Sequence, residues 1–194
     1  MSTKQIHLRS YANQPTEKRI RYLMQHYNDY ELYEAAYRKE IEFRVAETRA
    51  IERNRRDDLG VRIMSGTSLS DITFEQACES STIKDSLKEN GRPDKLVRDR
   101  YEKELIFQLV NDWRTFKRDY DALNSQLPKL GHGNYEMFVD ILRQEKNYQQ
   151  IADELMIELD SVKKKIRRFK AKIIQLIMTE YQETGLFRDL RSLG

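Results

Sequence analysis

The stretch Tyr148-Gln149-Gln150-Ile151-Ala152-Asp153-Glu154-Leu155-Met156-Ile157-Glu158-Leu159-Asp160-Ser161-Val162-Lys163-Lys164-Lys165-Ile166-Arg167-Arg168 decides how this chain is read. Its apolar residues do not keep the phase of one continuous helix. Ile151, Ala152 and Leu155 share a face of one short segment, and Ile157 follows in a turn. A second segment then begins, with Val162, Ile166, Phe169 and Ile173 spaced by four, three and four. Two short helices that cross steeply need a small residue where they touch, and Ala152 stands at that place. Ile151, Leu155, Ile157, Val162 and Ile166 are expected to close a miniature core that turns the outer face of the second helix away from the body. At ~100° per residue, Asp160, Lys164 and Arg167 point opposite Val162, with Ser161, Lys163 and Arg168 on the flanks.

Charge follows the same pattern. Residues 143–172 hold nine Lys or Arg against five Asp or Glu, a local net of +4. The whole chain carries only +3, so everything outside this stretch sums to −1. Seven of the ten residues from Lys163 to Lys172 are basic and none is acidic. Such a helix suits the major groove of duplex DNA, with Ser161, Lys163, Lys164 and Arg167 toward base edges, Arg168 and Lys170 on phosphates, and Asp160 on the same outer face. Tyr148, Gln149 and Gln150 open the preceding helix and are expected on the flanking phosphate backbone, partly through amides of the helix N-terminus.

The pattern Tyr148-x-x-Ile151-Ala152-x-x-Leu155-x-Ile157-x-x-x-Ser161-Val162-x-x-x-Ile166-x-Arg168 resembles the promoter-reading C-terminal segment of bacterial sigma factors. It also resembles the helix-turn-helix of phage late-gene transcriptional activators of the RinA and ArpU kind. Two positions depart from the pattern. Met156 stands where the turn commonly has glycine, and Glu158 where the second helix commonly has a Ser or Thr cap. Met156 must accept a left-handed backbone or the turn must differ slightly, and Asp160 offers a later helix start. The promoter-melting and core-polymerase-binding segments of a sigma factor have no counterpart here. The resemblance therefore implies a regulator that binds double-stranded DNA, with RNA polymerase as a further partner.

Working outward, Tyr135, Phe138, Val139, Ile141 and Leu142 form an amphipathic segment that ends near Glu145-Lys146-Asn147. The run Pro128-Lys129-Leu130-Gly131-His132-Gly133 separates it from a long helix expected from Asp94 to Gln126. That helix carries Leu96, Val97, Tyr101, Leu105, Leu109, Trp113, Phe116, Tyr120 and Leu123 on one face. A first long helix is expected from Thr16 to Leu59, with Ile20, Leu23, Tyr27, Tyr30, Tyr37, Ile41 and Ile51 in a stripe that packs antiparallel against the second. Between them, residues 60–92 are rich in Ser and Thr and read as a polar connection holding one short helix at Thr73–Ser80, capped by Asp71. Beyond the second segment of the opening motif, Ile173, Ile174, Leu176, Ile177, Tyr181, Leu186, Phe187 and Leu190 are more apolar than the motif needs. They either dock on the N-terminal helices or form a homodimer interface.

With 7 Gly and 3 Pro in 194 residues, a turn-rich β architecture is excluded. The expected fold is all-α: a long N-terminal helical hairpin over residues 1–130, then a helix-turn-helix domain over 131–194. Cys78 is the sole cysteine, and His7, His26 and His132 share no ligand spacing, so no metal site or cofactor is expected. Phosphate loops and nucleophile motifs are absent, and the chain does not read as an enzyme. No apolar run approaches the ~20 residues of a membrane span, and the polar start lacks a signal-peptide core, so the expected compartment is the cytoplasm. The reading is a sequence-specific transcriptional regulator, an activator of phage or prophage genes. Its rivals are a small-terminase-like DNA-packaging subunit and a helical scaffold that does not bind DNA.

Overall fold

The computed structural model describes residues 11–58, 81–88 and 90–184, with side chains for all of these except 53–58. Among the described residues the chain is all-helical, without a strand. In order come α1 (Thr16–Gln25), α2 (Tyr30–Asp58), a helical stretch α3 at 81–87, α4 (Arg100–Gln126), α5 (His132–Leu142), α6 (Tyr148–Leu155) and α7 (Leu159–Glu183). None of these helices is long and apolar enough to cross a membrane. The chain divides into two compact units, and neither is one continuous segment. The first comprises 1–12 and 32–115; the second comprises 13–31 and 116–194. The boundary expected at 130/131 falls inside the second unit.

In the first unit, Tyr33, Tyr37, Ile41, Val45 and Thr48 of α2 are buried, as are Ile106, Leu109, Val110 and Trp113 of α4. The two helices run antiparallel here. Thr48 Oγ1 lies 3.5 Å from Glu102 Oε2, and the Arg49 guanidinium donates to the Leu96 carbonyl at 2.9 Å. The long helix expected from Asp94 begins later. Pro93–Lys95 form one 3₁₀ turn, and α4 starts at Arg100. Asp99 sets that start: its Oδ1 accepts the amides of Tyr101 at 3.0 Å and Glu102 at 3.1 Å, which occupies donors that no helix carbonyl can reach. Glu52 Oε1 accepts the amides of Arg98 and Asp99 at 2.6 and 2.8 Å and fixes the approach. Leu96 and Val97 are still buried, but from the turn rather than from the helix. Tyr101 and Ile51, expected on the inner faces, are exposed, because the helix start at Asp99 and the outer phase of α2 turn them to solvent.

The helix expected at Thr73–Ser80 and its cap Asp71 lie outside the described residues. Within the expected polar connection, 81–87 is helical and buries Ile83, Ser86 and Leu87. Arg114 closes its end, one guanidinium nitrogen donating to the carbonyls of Ser86 (2.8 Å), Lys88 (2.5 Å) and Gly91 (2.9 Å). Gly91 sits so close beneath this turn that a Cβ would overlap the carbonyls of Asp85 and Ser86.

The second unit holds α1, the start of α2, the end of α4 and everything after it. The helix expected over Thr16–Leu59 is broken at His26, with Tyr27–Asp29 in a 3₁₀ turn. Tyr27 is responsible: its hydroxyl donates to Asn124 Oδ1 at 2.6 Å and its ring packs 5.5 Å from that of Tyr120. Tyr30 then stacks on Tyr120 with centroids 3.5 Å apart, and on Phe116 at 5.3 Å. Burial, followed by the neighbouring Tyr120, pushes the Tyr27 hydroxyl up from 10.0 to about 12.

α7 packs on α1, and Ile173, Ile174, Ile177 and Tyr181 are buried. At ~1.5–3 kcal/mol per buried aliphatic side chain, this face is a main source of the unit's stability. A polar node joins three helices inside it. Asp119 of α4 is fully buried, receives Arg19 Nε of α1 at 2.6 Å, and accepts the Tyr181 hydroxyl of α7 at 2.7 Å. Burial and the adjacent Asp119 carboxylate raise Tyr181 above its ordinary range. Gln126 Nε2, two turns beyond Asp119 on α4, donates to Glu180 Oε2 at 2.5 Å. Of the apolar tail, Leu186, Phe187 and Leu190 lie outside the described residues.

Candidate nucleic-acid interface

Asn147 opens the region. Its side chain accepts the Gln150 amide at 2.9 Å, and Gln150 Oε1 accepts the Asn147 amide at 2.8 Å, a complete capping box that starts α6. Lys146 straddles the approach, pairing with Asp140 of α5 at 3.1 Å and Glu154 of α6 at 2.8 Å. Glu154 first, and then Asp140, hold its ammonium above the ordinary lysine range. α5 itself starts at His132, one turn before Tyr135, since Gly131 at φ 85° lets the chain enter the helix directly from the preceding turn.

α6 ends at Met156, whose φ of 53° and ψ of 42° are left-handed. The turn therefore takes its usual path on a non-glycine residue, at a cost of ~1–2 kcal/mol relative to an ordinary conformation. Ile157 N–H bonds back to Ala152 O at 3.0 Å and satisfies a C-terminal carbonyl of α6. Glu158 is the N-cap of α7 with extended backbone, and its side chain makes no cap hydrogen bond. The helix begins at Leu159, so the later start offered by Asp160 is not used.

α6 packs on α7 through Ile151, Ala152, Val162 and Ile166, all buried. Leu155 and Ile157, expected to complete this core, are instead 48% and 40% exposed, and Met156 between them is 93% exposed. The interior is filled from α5, where Phe138 is fully buried and meets Phe169 edge-to-face at 5.9 Å. The turn residues are consequently left at the surface as an apolar tip.

Of the expected contact residues, Gln149, Gln150, Asp160, Ser161, Lys163, Lys164, Arg167 and Arg168 are exposed, while Tyr148 and Lys170 are half-buried. Lys164, Arg167, Arg168, Ser161 and Asp160 share the side of α7 opposite Val162 and Ile166. Some of these groups are already engaged. Gln150 serves the capping box, Gln149 Nε2 donates to Asp153 Oδ1 at 2.8 Å, and Lys163 lies 3.4 Å from Asp160. Lys165 sits 5.9 Å from the Phe169 ring centroid, and Lys172 Nζ is 3.5 Å from the Lys129 carbonyl. Asn147 was missed in the sequence, although Asn followed three residues later by Gln before an apolar run is the signature of a capping box. Among the described residues no cluster of His, Cys, Asp and Glu could hold a metal ion.

No protein-family model matches this chain, and neither a curated protein nor a solved structure matches it.

Proposed function

We propose that the chain is a sequence-specific double-stranded DNA-binding transcriptional regulator, an activator of phage or prophage genes, that reads DNA with α6 and α7 as a helix-turn-helix. The observation that carries this reading is the exposed basic face of α7, with Lys164, Arg167 and Arg168 opposite a fully packed inner face. A basic helix set at the end of a short capped helix and a left-handed turn has the geometry that lets a helix enter the major groove while its predecessor spans the backbone. Lys163, Lys164, Arg167 and Ser161 take the base-reading side. Arg168, Lys170 and the start of α6 at Tyr148 take phosphates, where the unsatisfied amides of a helix N-terminus favour an anion. The apolar tip Leu155-Met156-Ile157 supports a protein contact beside the DNA, for which RNA polymerase is the partner this reading expects. The helical character of the N-terminal part agrees with the resemblance to RinA- and ArpU-type activators, which the sequence carries by motif only over 135–175.

The test is binding of the purified chain to labelled duplexes, upstream DNA against random sequence, across a salt series. Binding to one upstream region should dominate and weaken steeply with salt, log Kobs falling by about 0.9 per neutralised phosphate for each decade of salt. Arg167→Ala should cost roughly 1–3 kcal/mol, concentrated at one base position. A folded sample that binds no duplex at low salt would overturn the reading.

A further inference from the structure

The outer face of α2 is as ordered as its inner one. Tyr33, Tyr37, Ile41, Val45 and Thr48 point into the first unit and are buried. On the opposite side Leu32, Ala36, Lys39, Phe43, Ala46 and Ala50 recur at spacings of four, three, four, three and four, and all six are exposed. This is the alternation by which one helix presents a narrow seam to another. Leu32 is 71% exposed and Phe43 63%, large apolar side chains that a solvated helix face has no reason to carry in register. Over 18 residues at 1.5 Å each, the seam runs about 27 Å.

We propose that this seam is a homodimer interface, α2 packing antiparallel against α2 of a second copy of the chain. The charges select that occupant. Lys39 is the single charged residue in the seam and lies four residues before Phe43; Glu47 lies four residues after it on the seam's edge. A two-fold axis at Phe43 brings each Lys39 level with the partner copy's Glu47, sets Ala36 against Ala50, and places the two Phe43 rings together. A parallel pair would set Lys39 against Lys39 and Glu47 against Glu47. Two further acids of the region are committed within the helix, Glu34 to Arg38 at 3.4 Å and Glu40 to Arg44 at 3.3 Å. Among the described residues, Lys39 and Glu47 have no ion-pair partner in their own chain. In residue order and charge the surface is complementary to itself, as a two-fold interface has to be. This inference stands on the first unit alone and does not rest on DNA binding.

Sedimentation equilibrium of the full chain over a concentration series tests it. The mass should rise from 23.3 kDa toward twice that value. Phe43→Asp, at an exposed site whose loss empties no core, should hold it at the monomer mass. Lys39→Glu and Glu47→Lys should each raise the dissociation constant roughly tenfold, and the double variant should return it to within about threefold of the parent. A monomer at every concentration overturns the proposal. So does a dimer unmoved by Phe43→Asp, or a double variant as weak as the singles.

Discussion

Two chain breaks in the second unit, at His26–Asp29 and at Met156–Glu158, do the same job by opposite means. At the first, Tyr27 is buried, bonded to Asn124 and packed on Tyr120, residues 97 and 93 positions away in sequence. The break is imposed from outside, by where the ring and its hydroxyl find partners. At the second, everything is local. The Asn147–Gln150 cap starts α6, a left-handed Met156 stops it, and the turn residues face solvent. A break made by tertiary packing should be expensive to disturb and invisible in local sequence. One made by local chemistry should be cheap to alter and legible.

The largest test of this contrast is Tyr27→Ala. It removes a buried aromatic and its hydrogen bond, and should destabilise the chain by about 3–5 kcal/mol in urea unfolding. A loss below about 1 kcal/mol would mean that the first break is local after all. A smaller effect should appear at high pH. Tyr27 titrates at about 12 when folded and near 10.0 when unfolded, so the unfolded chain loses this proton first as pH rises. Its contribution is therefore fully present below pH 10.0 and disappears as pH climbs through about 12. Tyr181 is shifted in the same direction and adds to the fall. Stability measured between neutral and strongly alkaline pH should decline above that threshold in the parent, and less steeply in Tyr27→Phe. Equal slopes in both would remove Tyr27 as the cause. The smallest effect is a gain: Met156→Gly relieves the left-handed strain and should stabilise by about 0.5–1 kcal/mol. A loss at that position would show that the Met156 side chain is held by something within the chain.

The same contrast explains what the sequence disclosed. The all-helical class, the short segment–turn–segment pattern at 148–168 and the inward set Ile151, Ala152, Val162 and Ile166 were legible because periodicity and punctuation are local. The left-handed turn at Met156 was legible as one of two options. The break at Tyr27 was not, since 16–59 is a single amphipathic pattern and only Tyr120 and Asn124 interrupt it. Leu155 and Ile157 carried the periodicity of core residues, yet Phe138 reached the interior first. Asp119 and Arg19 carried no signal in the sequence, and Tyr181 stood only as part of the apolar tail, because nothing local marks residues 100 and 62 positions apart as neighbours. The outer seam of α2 was hidden by its alanines, which carry little hydropathic signal one at a time.

Asp119 has a consequence for how the molecule comes into being. Arg19 leaves the ribosome well before Tyr181, and the carboxylate that binds both arrives in between. The node therefore cannot close until α7 has been made, and α1 waits for that helix while about 150 residues are added. A nascent chain released before α7 is finished would expose Ile20, Leu23 and Met24 of α1 as a chaperone or protease target.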